Sequence, residues 1–244
     1  MRLLMTSAGL TTPALANALR DLLGKPASAA SITVVPTAHN AEQGDKAWVV
    51  REDFLLTRQL GWGEFNIVDL AAVHSLDKSL WWPQLEDADV LLFGGGNVFY
   101  LSYWMQKTGL FDALPKWLDS KVLVGISAGS QVLGADLYAT TEAMERDGVF
   151  SDEDYDQMGP AGQSSSKTLK LVDFTFRPHL NSKNFTKLRM PYLTEVAKTL
   201  KTPMYALDDA CAVKVTDDKA EVVGDGQWKL FEAGDKGERK RDDL

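Results

Sequence analysis

Gly125-Ile126-Ser127-Ala128-Gly129-Ser130 stands directly after the apolar run Val122-Leu123-Val124 and before Gln131-Val132-Leu133-Gly134. A serine placed between two glycines, one residue removed on each side, fits a strained strand-to-helix turn. Such a turn exposes the hydroxyl and leaves the following backbone N–H, here that of Ala128, free to bind an oxyanion. Small neighbours are needed because larger side chains would collide with the backbone around the turn. The chemistry this implies is nucleophilic attack by Ser127 on a carbonyl carbon; the alternative is a tight connection with no chemistry.

A serine hydroxyl is a weak nucleophile until a base removes its proton, and histidine is the usual base near neutral pH. The chain has three histidines, His39, His74 and His179. Each follows a strand-like run, so position alone does not separate them. Gly94-Gly95-Gly96-Asn97 comes after the apolar run Val90–Phe93 and supplies a second oxyanion donor, since glycines let the backbone approach a ligand closely. Asn97 suits the N-cap of a helix starting near Val98. No Gly-Lys-Ser/Thr follows the glycines, which argues against a phosphate loop.

Gly94-Gly95-Gly96-Asn97-Val98-Phe99, the Ser127 hexapeptide and Pro178-His179, in this order, resemble the peptidase E (aspartyl dipeptidase) family of serine peptidases. The resemblance runs from about Val90 to Trp228 and implies a fold like that of the class I glutamine amidotransferases. It implies Ser127 as nucleophile, His179 as base, and an oxyanion hole from Ala128 with Gly95 or Gly96. The third member falls in Leu207-Asp208-Asp209-Ala210, where the family commonly has Glu, and Asp209 aligns better than Asp208. An aspartate is one methylene shorter, so its loop must sit closer to the imidazole or a water must intervene. An N-terminal aspartyl substrate needs a cation for its side-chain carboxylate. Arg177 and Arg189 are the candidates, and Asn97 completes the expected substrate-binding set. Leu180 follows the Pro-His pair where the family often has an aromatic residue, which leaves the substrate open.

The elements that must position these residues alternate. Apolar strand-length runs precede helix-compatible stretches: Leu3–Thr6 then Pro13–Leu23, Ile32–Pro36 then Asp45–Leu60, Phe65–Leu70 then Ser79–Leu85. Val90–Phe93 then Val98–Gln106 follow, and Val122–Ile126 leads into the helix near Ser127. Continuously apolar strands in a β/α rhythm predict a mostly parallel sheet with helices on both faces, an α/β fold whose ligands sit beyond the carboxyl ends of the strands. Asp152–Ser166 reads as a long polar loop. Beyond it come Leu169–Phe176 as a strand, Asn184–Leu200 as a helix, and Met204–Leu207, Ala212–Thr216, Ala220–Val223 and Trp228–Phe231 as short, antiparallel closing strands. Residues 1–233 are expected to form one hydrolytic domain and 234–244 a charged, disordered tail.

With 244 residues, 45% hydrophobic, the chain can bury a sizeable core, and a net charge of −8 argues against nucleic acid as a partner. The single cysteine, Cys211, excludes an internal disulfide and fits a reducing cytoplasm. No apolar run approaches a membrane span. Asp152-x-Asp154-x-Asp156 lacks the glycine and terminal glutamate of a calcium loop, so no metal is expected, and the resemblance calls for no cofactor. A small peptide is the expected substrate, with a homodimer as the candidate assembly. Two other readings compete: a related hydrolase of other acidic or modified peptides, as in cyanophycin-degrading enzymes, and a non-catalytic binding protein on the same fold.

Overall fold

The computed structural model describes residues 1–137, 162–186, 188–217 and 219–234. Most of the expected Asp152–Ser166 loop, including Asp152, Asp154 and Asp156, and the charged tail after Gly234 lie outside the described residues. The main sheet holds β1 (Arg2–Thr6), β2 (Ser31–Val35), β3 (Glu64–Ile67), β4 (Val90–Phe93), β5 (Val122–Ile126), β8 (Cys211–Thr216) and β9 (Lys219–Gly224), in the order β3-β2-β4-β5-β1-β8-β9. β3, β2, β4, β5 and β1 run parallel, whereas β8 is antiparallel to β1 and β9 to β8. A smaller sheet, β10-β7-β6, pairs β6 (Thr175–Arg177) parallel to β7 (Met204–Leu207) and β10 (Trp228–Phe231) antiparallel to it.

The inner strands β1, β2, β4 and β5 are largely apolar because both faces of the main sheet are covered there, whereas the edge strands β3 and β9 carry exposed polar residues. Successive side chains point to opposite faces. Leu3, Met5, Leu91, Phe93 and Leu123 therefore enter one core, with the Val98–Thr108 helix. Leu4, Val90, Leu92, Val122 and Val124 enter the other, with Leu15, Leu19, Leu22 and Leu23 of the Pro13–Leu23 helix. Each such fully buried side chain contributes about 1.5–3 kcal/mol. Thr12 caps the Pro13–Leu23 helix through the Leu15 amide, and Gly24 at φ 69° ends it. A third core, with Leu193, Val196, Met204 and Phe231, joins the smaller sheet to the Met190–Ala197 helix. Among the described residues no helix is long and apolar enough to cross a membrane.

Three elements differ from the sequence reading. Leu169–Phe176 is not one strand: the Leu169 and Leu171 amides bond to the Val132 and Leu133 carbonyls, so this run covers the segment after the elbow, and β6 is only Thr175–Arg177. The helix expected over Asn184–Leu200 is confined to Met190–Ala197, because the Arg189 guanidinium takes the Ser182, Phe185 and Leu188 carbonyls and Pro191 sits in the first helical turn. The helical run predicted for Asp45–Leu60 consists of Ala47–Val49, a π-helical stretch Val50–Leu55 and Leu56–Arg58. Periodicity gives no warning of such a stretch, which recurs at functional sites.

Candidate active site

Parallel pairing brings the residues after β1, β2, β4 and β5 to one edge of the sheet. Ser7, the Gly94–Gly96 turn and Ser127 all emerge there. β8 is antiparallel to β1, with Ala212 opposite Thr6, so Asp209 just before β8 arrives at that edge too. β6 and β7 are parallel with Arg177 opposite Ala206, which carries His179 and Asp209 out side by side.

Ser127 has φ 49° and ψ −106°, outside the ordinary regions for a side chain with a Cβ. The strain is held from both sides. Its N–H donates to the Thr6 carbonyl at 3.0 Å, and its carbonyl accepts the Ser130 and Gln131 amides at 2.9 Å. A Cβ on Gly129 would lie 2.0 Å from the Phe93 carbonyl oxygen, which explains the small residue after the elbow. Ala128 opens the short helix Ala128–Gln131, so its amide belongs to the orphaned donors of a first turn.

The structure separates the three histidines. His39 Nδ1 bonds to the Pro36 carbonyl within its own turn, and His74 bonds to the Ala71 carbonyl and packs on Trp104. His179 alone of the three reaches Ser127, with Nε2 2.8 Å from Oγ, while Nδ1 lies 2.8 Å from Asp209 Oδ1. The imidazole stacks on Phe185 at 4.5 Å between ring centres. Asp209 therefore reaches the histidine directly despite its shorter side chain. Asp208 is occupied elsewhere, accepting the Ala210 and Gln227 amides.

Burial would raise the Asp209 carboxyl, but hydrogen bonding from His179, the attraction of that imidazole when it is protonated, and the hydroxyls of Ser7 and Ser182 outweigh it and hold it low. An ionised carboxylate only accepts, so the Nδ1 of His179 carries the proton and Nε2 is left to accept the Ser127 hydroxyl. Ser7 ties the group together: its Oγ donates to Asp209 Oδ1 at 2.8 Å and accepts the His179 amide at 2.8 Å. Sequence reasoning missed Ser7, whose one signal is its place directly after the interior strand β1.

In the glycine turn, the Gly94 amide donates to Val35 and the Asn97 amide to Ala38. Gly96 has φ 123°, and a Cβ there would sit 2.6 Å from the Ala38 backbone, so no larger residue fits. The Gly96 amide donates to no backbone carbonyl among the described residues. Gly95 and Gly96 line, with Ser127, His179 and Asp209, an open pocket of about 440 Å³.

Three expected substrate contacts are not brought to this pocket. Asn97 is 3% exposed and its side chain caps the next helix through the Tyr100 amide. Arg177 is 2% exposed within β6. Arg189 holds the backbone of residues 182–188. Among the described residues Arg51 is the pocket's one Lys or Arg, paired with Glu52 at 2.8 Å and two-thirds exposed. Glu42, Asp45, Glu52 and Asp209 make the lining acidic, with Trp48 and Phe185 as its aromatic surface. Nothing in the sequence singled out Arg51, Glu52 or Trp48, which reach the pocket from the α-to-π-helical run Ala47–Leu55.

The sequence matches the family model of peptidase family S51 over residues 3–223. Peptidase E of Streptomyces coelicolor is 27% identical over 173 residues, covering 68% of this chain and 64% of the relative, so the chain spans about two thirds of that protein's length. A Drosophila melanogaster protein named probable alpha-aspartyl dipeptidase is 27% identical over 222 residues, covering 88% of this chain and 81% of its own. The solved structure of a peptidase from an acI-B1 Actinobacterium superposes with a TM-score of 0.67 over 95% of this chain and 91% of that one; at 19% identity the likeness is one of fold.

Proposed function

Because the chain belongs to peptidase family S51, a family of serine-type peptidases, we propose that it hydrolyses short peptides through Ser127, His179 and Asp209. The observation that carries the reading is the continuous relay from Ser127 Oγ through His179 to Asp209, each link 2.8 Å. Ser127 attacks the scissile carbonyl carbon as its proton passes to His179 Nε2. The resulting oxyanion is met by the Ala128 amide and an amide of the Gly95–Gly96 pair. His179 then gives its proton to the departing amine, leaving an acyl-enzyme. Water, deprotonated by the same nitrogen, releases the acid. Asp209 fixes the imidazole tautomer and stabilises the imidazolium. Residues 1–233 act in this reading as one hydrolytic unit.

The pocket's charge bears on the substrate. Among the described residues, Asp45, Glu52 and Asp209 against one guanidinium favour a substrate that brings a cation, such as the free ammonium of a peptide N-terminus. Glu52 is the acid placed beside Arg51, and Arg51 is the group able to take an aspartyl carboxylate. The reading is therefore a dipeptidase that accepts N-terminal Asp through Arg51, as the name of the Drosophila relative suggests. The same acidity supports a second reading, hydrolysis of a modified acidic peptide that carries basic groups, as in cyanophycin.

A panel of dipeptides tests both. Ser127→Ala and His179→Ala are each expected to lower kcat/KM by at least about 10⁴-fold with the fold intact by circular dichroism. Full activity in either variant refutes the mechanism. A strong preference for N-terminal Asp decides for the first substrate reading over the second.

A further inference from the structure

Asp53 lies in the π-helical stretch Val50–Leu55 and is completely buried. Its carboxyl is pressed against the back of the glycine turn: a Cβ on Gly94 would fall 2.2 Å from Asp53 Oδ2 and 3.3 Å from the Pro36 Cα. The Gly95 amide faces this carboxyl, yet neither oxygen completes a well-aligned hydrogen bond. No part of the hydrolytic mechanism uses Asp53, although it touches the backbone that lines the pocket beside Ser127.

We propose that Asp53 is a positioning residue for the oxyanion hole, its buried carboxyl bracing Gly94 and Gly95 from behind so that the Gly96 amide faces the reacting carbonyl. The inference rests on the reading of Ser127 as nucleophile. An unpaired ionised carboxylate in this place would be costly, so the group sits there neutral. Burial and then the adjacent Glu52 charge push its pKa up to about 8, against a smaller opposing pull from the Gly95 amide. On its own helical run the charged neighbours are Glu52 and Arg51, which pair with each other, while Thr57 one turn on is uncharged. The Pro36–Ala41 segment brings His39, whose ring is engaged with the Pro36 carbonyl, and the glycine turn brings no titratable group. The pocket lining adds Glu42, Asp45, His179 and Asp209.

A neutral Asp53 can accept the Gly95 amide without placing charge behind the oxyanion. An ionised one sets a negative charge next to the amides that must stabilise a second negative charge, and the transition state loses. The alkaline side of the rate profile should therefore fall with the ionisation of Asp53.

The test uses a fluorophosphonate probe, which has no amine to titrate. Ser127 Oγ forms a bond to phosphorus as the P–F bond breaks, and fluoride leaves while His179 takes the hydroxyl proton. The second-order labelling rate is measured from pH 6 to 10 on wild type, Asp53→Asn and Asp53→Ala, with circular dichroism at each pH. Wild type is expected to lose at least threefold between pH 7.5 and 9.5, where a midpoint near 8 allows up to about 25-fold if the ionised form is inactive. Asp53→Asn, which keeps the shape and cannot ionise, is expected to stay level over that range. Asp53→Ala is expected to be slowed about tenfold at every pH. An alkaline fall that persists in Asp53→Asn, or a wild-type rate that stays level to pH 10, overturns the proposal. Absence of labelling in wild type at every pH overturns the Ser127 reading itself, and the inference with it.

Discussion

The wall of the pocket that carries Ser127, His179 and Asp209 is bonded into the sheet, whereas the wall made by residues 42–52 extends exposed charged side chains into solvent. On the first, Ser127 is held to Thr6, His179 to Ser7, and Asp209 to Ser7 and His179, every contact at 3.0 Å or less. On the second, Asp45 and Arg51 are exposed, and the Arg51–Glu52 ion pair joins neighbours in sequence. A group that must hold a reacting atom to a few tenths of an ångström needs backbone that cannot shift without breaking strand pairing. A group that only sorts substrates can sit on an exposed side chain, where it changes at little cost to the fold.

Substitutions on the two walls should therefore fail in different ways. The largest effect beyond loss of Ser127 or His179 themselves is expected from Asp209→Asn. It keeps the shape but lets His179 adopt the wrong tautomer, lowering kcat by about 10²–10⁴-fold with KM nearly unchanged. Ser7→Ala removes one bond to the carboxylate and one to the His179 backbone and is expected to cost about tenfold in kcat. Arg51→Ala is expected to be smallest: a roughly 3- to 5-fold rise in KM for aspartyl-leucine, the yield of an exposed ion pair, and less for alanyl-leucine. Steady-state kinetics on these two dipeptides checks all three. A drop in kcat for Arg51→Ala as large as that for Asp209→Asn would dissolve the distinction between the walls.

The bonded wall is also the part that could be read from the residues. Val90–Phe93 and Val122–Ile126 are strands with the expected bounds because continuous burial on two faces leaves no other use for such runs. Membership in peptidase family S51 agrees with the ordered motifs around Gly94, Ser127 and His179. Ser7 was not legible, since one hydroxyl among several near the start of the chain gains meaning only when β8 brings Asp209 beside it. Arg189 looked like a substrate cation but satisfies carbonyls that a longer helix would have used. Arg51 owes its place to a π-helical stretch that no hydrophobic period announces.

β1 lies between β5 and β8, with Leu3 opposite both Leu123 and Val215. The first strand made is therefore held between two strands made much later. A chain cut short of Asp209 has neither the carboxylate that bonds His179 Nδ1 nor the β8 neighbour of β1. Pairings so distant in sequence form late. Truncations that remove β8 are therefore expected to lose the Ser127–His179–Asp209 alignment together with the pairing of the first strand.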